Sequence, residues 1–187
     1  SVVASGLANP RHLTVAADGT VYVALAGSAG DNSIFGTPAP GTPAASDAVS
    51  MYGDSGEVVT IGADGTVTQV GPGLPSFTFG TEIVGPAGVA VVDGTIYVVT
   101  GGVGPSTPAV APLPGRASVW SIDAATGEGT VVADLEAFAR TNNPDPNFID
   151  SDTYAINAGT DGLTHVADYG RTHILPVDPT TSPVHLF

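Results

Sequence analysis

Three copies of one segment recur along the chain, in each of which an Asp-Gly pair separates two short runs of apolar and β-branched residues, and this repetition limits the fold more than any other feature. The first copy runs Asn9-Pro10-Arg11-His12-Leu13-Thr14-Val15 through Asp18-Gly19 to Val21-Tyr22-Val23-Ala24. It recurs as Gly85-Pro86-Ala87-Gly88-Val89-Ala90-Val91 through Asp93-Gly94 to Ile96-Tyr97-Val98-Val99. A weaker copy reads Asp152-Thr153-Tyr154-Ala155-Ile156-Asn157, then Asp161-Gly162 and Thr164-His165-Val166-Ala167-Asp168. Asp-Gly between β-forming runs signals a tight hairpin in which both turn residues take φ > 0, so each copy predicts an antiparallel strand pair.

A second hairpin follows each copy. The pairs are Glu57–Ile61 with Thr66–Val70 around Asp64-Gly65, Ser118–Ile122 with Thr130–Ala133, and Thr172–Val177 with Val184–Phe187. Two successive hairpins make a four-stranded meander, the unit that propellers set radially around a channel. The expected fold class is all-β: three four-stranded β-propeller blades, half of a six-bladed ring. They form one unit, with blades at 9–72, 86–134 and 152–187. Residues 2–5 are expected as a closing strand, and 28–55 and 100–116 as loop insertions. The only helical signal is a turn or two at Leu135–Arg140.

Closed propellers usually carry four to eight blades, so three leave two blade faces uncovered. The expected partner is therefore a second copy or a complementary propeller half. Net charge is −14, from 18 acidic residues against four arginines and no lysine. That field repels nucleic acid and anionic membrane surfaces, and no stretch approaches the roughly 18 apolar residues of a membrane span. Without cysteine, disulfides and thiolate metal sites are excluded. The acidic, lysine-free, Thr-, Ala-, Gly- and Pro-rich composition leads us to expect a secreted protein.

The order and spacing of several segments resemble the N-terminal half of the ScyD/ScyE family, propellers of the NHL and SMP-30-like type. They are Ser5-Gly6-Leu7-Ala8-Asn9-Pro10-Arg11, Tyr52-Gly53-Asp54-Ser55-Gly56, Gly73-Leu74-Pro75-Ser76, Val84-Gly85-Pro86, Asp134-Leu135-Glu136-Ala137-Phe138, Asn143-Pro144-Asp145 and Val166-Ala167-Asp168. Departures occur at Asp150-Ser151-Asp152-Thr153-Tyr154, where the family reads Asp-Ser-Asn-Pro-Tyr, and at Tyr169-Gly170-Arg171. The resemblance implies a secreted propeller about twice this length, associated with pigment clusters and without an assigned reaction.

The loop before each innermost strand lines a propeller's channel mouth, which makes Arg11, His12 and Asp152 candidate ligand-binding residues. Asn143, Asp145, Asn147, Asp150 and Asp152 concentrate the oxygen donors that Ca²⁺ prefers, although without the EF-hand pattern. No Gly-x-Ser-x-Gly elbow or short-spaced histidine pair is present, and no catalytic residue is assigned. The function expected is a non-catalytic binding or assembly module. The alternative is a calcium-assisted hydrolase or lactonase of the SMP-30-like propeller type.

Overall fold

The computed structural model describes residues 2–33, 51–102, 114–142, 151–170 and 172–178. Its strands are β1 (Pro10–Val15), β2 (Val21–Leu25), β3 (Asn32–Ser33), β4 (Met51–Ile61), β5 (Val67–Phe79), β6 (Glu82–Val84), β7 (Pro86–Val92), β8 (Thr95–Thr100), β9 (Ser118–Ile122), β10 (Gly129–Asp134), β11 (Thr153–Ala158), β12 (Thr164–Asp168) and β13 (His173–Val177). One helix, α1 (Leu135–Asn142), follows β10. The strands form three antiparallel sheets in chain order, and each is a blade. Blade two is the four-stranded meander β7-β8-β9-β10, and blade three shows β11-β12-β13. The strand expected at 184–187 lies outside the described residues, as do 34–50 and 103–113 of the two insertions.

Blade one departs most from expectation. Met51–Ser55, expected in a loop insertion, are the first half of β4, where Tyr52 pairs with both Asn32 and Phe77. The β4–β5 pairing continues past two register shifts around Gly56, and β6 then folds back on Phe77–Phe79. The sequence hides this because Gly53, Gly56 and Gly71-Pro72-Gly73 interrupt the apolar alternation at the bulges. Residues 2–5 have no strand assignment.

The Asp-Gly turns are of two kinds. Only Asp93-Gly94 is the two-residue turn expected, with φ of 49° and 82° and Val92 facing Thr95. In the other turns glycine alone is left-handed: Gly19 at φ 87°, Gly65 at 83° and Gly162 at 81°. There the aspartate carboxylate accepts the backbone N–H two residues on, at Thr20 (2.9 Å), Thr66 (2.9 Å) and Leu163 (3.1 Å). Two extra residues before the pair and one after it, inside Val15↔Val21, Ile61↔Val67 and Ala158↔Thr164, make this Asx arrangement the better-bonded solution.

Successive blades pack face to face. Tyr22, Ala24, Val58 and Val70 of blade one meet Val89, Val91, Ile96, Val98 and Ile122 of blade two. The opposite face of blade two, carrying Ala90, Tyr97, Val99 and Val119, meets Ile156, Val166, Leu175 and Val177 of blade three. Period-two alternation supplies both faces of each strand with apolar residues, which is why the blades read as nearly continuous hydrophobic runs. The innermost strands are β1, β7 and β11, with β7 against both of the others.

Candidate functional site

Each innermost strand begins with the same irregularity. The register shifts between Pro10 and His12 in β1, between Pro86 and Gly88 in β7, and between Thr153 and Ala155 in β11. The residue bulged out at each shift is Arg11, Ala87 and Tyr154, the same position of the repeat in three blades. A bulge re-aims its side chain, and here all three line one cleft at the shared end of the inner strands. The rung that precedes each bulge also repeats: the N–H groups of Ala26, Gly101 and Tyr169 donate to the carbonyls of Asn9, Gly85 and Asp152 at 2.8–2.9 Å.

The cleft has a volume of about 950 Å³ and walls that are mainly apolar, including Phe79, Val84, Ala87 and Ile174. Arg11 is exposed, and its Nη2 donates to the Ile83 carbonyl at 2.6 Å, tying β1 to β6. His12 Nδ1 accepts the Val89 N–H at 3.3 Å. This places the ring proton of a neutral imidazole on Nε2 and satisfies an amide on the inner edge of β7. In blade three, Asp168 is 2% exposed and accepts the Ser151 hydroxyl and the Asp152 N–H, each at 2.9 Å. Thr153 Oγ1 donates to the Thr100 carbonyl at 2.6 Å, joining this turn to blade two.

Arg11, His12 and Asp152, the candidates at the channel mouth, therefore lie together in the cleft. Asn143, Asp145, Asn147 and Asp150 lie outside the described residues. Among the described residues, no three His, Asp or Glu side chains group as a metal site. Sequence reasoning overlooked Tyr154, Phe79, Glu82 and Asp168. Tyr154 was legible as the third copy's counterpart of Arg11. Asp168 was legible as the ionisable residue at the repeat position held by Leu25 and Thr100, where the paired strands are Pro10↔Leu25, Pro86↔Thr100 and Thr153↔Asp168.

A second cluster of charge sits away from the cleft. Glu136 at the start of α1 takes Arg116 Nη2 at 2.7 Å and Arg140 Nη2 at 2.6 Å, with Arg116 buried to 4%. Burial pushes the Glu136 carboxyl up, but the two guanidiniums outweigh it and hold the group below the usual carboxylate range. Asp134 caps the same helix by accepting the Ala137 N–H at 2.8 Å. The cluster fastens α1 to blade two.

Radially arranged antiparallel sheets with their first strands at a common axis define a β-propeller unit, here an open one. Comparison with solved structures agrees. The chain is similar to a luciferin-regenerating enzyme with a TM-score of 0.54 and 13% identity, over 94% of this chain and 44% of that one. It is also matched to virginiamycin B lyase from Staphylococcus aureus at 13% identity, over 96% of this chain and 69% of the lyase, with a TM-score of 0.28. The chain thus spans less than half the length of the luciferin-regenerating enzyme. No protein-family model matches the chain, and no curated protein does.

Proposed function

We propose that this chain is a secreted, non-catalytic assembly module, an open propeller of the ScyD/ScyE kind whose uncovered blade faces pair with those of a second copy. One observation carries the reading. Leu13, Val89 and Ile156 hold the same position of the repeat in β1, β7 and β11, one residue after the His12, Gly88 and Ala155 that end the bulge. Val89 is fully buried against blade one and Ile156 fully buried against blade two, whereas Leu13 is 57% exposed. Val15, equivalent to the packed Val91, is 58% exposed.

The face to which Leu13 and Val15 belong is built as an interface. Only its inner strand is open: the cross-strand partners Val23 and Val21 lead into Leu25, Val59 and Ile61, on which Leu7 packs, and Val23, Leu25 and Val59 are already buried. At the other end of the chain the uncovered face of blade three carries Ala155, Ala167 and Ile174 in register, with Ile174 65% exposed. In the two interfaces already formed, each blade presents to its predecessor the face that blade one leaves open. The third blade of a second copy has the face that fits it, and the two contacts of a two-fold dimer then close head to tail. The acidic, lysine-free composition and the family resemblance support secretion.

The test is the mass of the particle in solution by light scattering. A dimer indifferent to EDTA is expected, and Leu13→Asp with Val15→Asp should yield a folded monomer. A native chain that stays monomeric at micromolar concentration, or a double variant that stays dimeric, overturns the proposal.

A further inference from the structure

We infer that the cleft at the axis binds a small planar monocarboxylate, with Arg11 holding the carboxylate and Tyr154, on the far side of Ala87, packing on the ring. The residues that line the cleft all belong to one chain, and Ala155, Ala167 and Ile174 on its blade-three side are also among those proposed to meet a second copy. The three bulged positions specify its character. Blade one contributes a cation, blade two a methyl group that leaves room between its neighbours, and blade three an aromatic ring that is 62% exposed. An aromatic side chain left that open, in a cleft whose walls also include Phe79 and Ile174, offers a flat apolar surface for stacking.

Arg11 differs from the other arginines described. Arg116 and Arg140 are spent on Glu136, whereas Arg11 has no carboxylate within ion-pair distance among the described residues. Its hydrogen bond to Ile83 uses one of the five guanidinium donors and holds the group at the cleft wall, so the remaining fork is oriented before a ligand arrives. Planar bidentate capture of a carboxylate is the chemistry that this fork favours. The wall also limits the charge of the ligand. Glu82 lines the same cleft, and the chain carries −14 overall, so a dianion or a phosphate ester is penalised where a monoanion is held.

Calorimetric titration with 2-naphthoate and with its uncharged analogue 2-naphthamide tests this. One naphthoate per chain is expected, bound at least about tenfold more tightly than the amide. Arg11→Gln should remove that preference, and Tyr154→Ala should weaken both probes alike. Arg11→Lys, which keeps the charge and loses the fork, should retain part of the preference and guards against misfolding of the glutamine variant. Equal affinities for the two probes, no binding of naphthoate, or an unchanged preference in Arg11→Gln overturns the inference. Repeating the titration on the Leu13→Asp, Val15→Asp variant separates the two proposals. One naphthoate per monomer is expected whatever the native mass, and loss of binding there refutes a site built by one chain.

Discussion

At the scale of single residues the repeat is held by polar side chains that satisfy backbone groups the ladders leave over. Ser76 is one of them. It is fully buried, donates to the Ala26 carbonyl at 2.6 Å and accepts the Ala29 N–H at 2.8 Å, so one hydroxyl joins β5 to the segment after β2. Ser76→Ala strands a buried donor and acceptor together, and chemical denaturation should show a loss of about 1–3 kcal/mol with little change in the dependence on denaturant. Asp18 and Asp64 make a different point. Each carboxyl is held below its ordinary value by the backbone N–H of Thr20 or Thr66. A depressed carboxylate contributes stability that is present above its unfolded-state value and is lost as pH falls through its folded value. Asp18→Asn and Asp64→Asn should therefore lower stability slightly at neutral pH and flatten the acid limb of the stability curve, with no difference from the native chain below the folded values. The turns were legible in the sequence as turns. Their type was not, since a choice between φ > 0 at one residue or at two depends on the strand register, which a local motif does not set.

At the scale of elements, the third strand of blade one and the helix after blade two show where reading stopped and why. Glu57–Ile61 was legible from alternation, but Met51–Gly56 was not, because the strand continues through glycines whose value is close approach rather than side-chain packing. Gly53, for example, leaves no room for a Cβ, with the Gly30 Cα at 2.9 Å from where it would sit. The brief helical signal at Leu135–Arg140 resolved into α1, held by its Asp134 cap and by the buried Arg116–Glu136 pair. Arg116→Ala leaves Glu136 with only the partly exposed Arg140 at i+4. Breaking such a buried pair costs about 3–5 kcal/mol, so a melting temperature well below that of Arg140→Ala is expected. Protonating Glu136 acts in the same direction. Because its carboxyl lies below the ordinary range, that stabilisation is intact above the unfolded value and declines as pH falls through the folded one. In the candidate site, Arg11, His12 and Asp152 were expected in the loops before the inner strands. Asp152 does precede β11, whereas Arg11 and His12 lie within the first part of β1, which starts before its apolar alternation does. Tyr154 needed the bulge to be seen as a repeated position, and Glu82 and Phe79 needed β6, a strand too short to announce itself.

For the whole molecule the deciding balance is between apolar surface left open and charge of one sign. Two chains that each carry −14 repel as they approach, yet the faces proposed to meet present Leu13, Val15, Ala155, Ala167 and Ile174 and no ion pair. Burial of apolar area is nearly independent of ionic strength, while repulsion between exposed charges is screened over a distance that shrinks from about 30 Å at 0.01 M salt to about 10 Å at 0.1 M. Salt should therefore tighten the dimer. Sedimentation equilibrium across that range should show the dissociation constant falling as sodium chloride rises, with most of the change below 0.1 M. An interface made of salt bridges answers in the opposite sense, so a dimer that loosens with added salt places the contact on some other surface than the open faces of blades one and three.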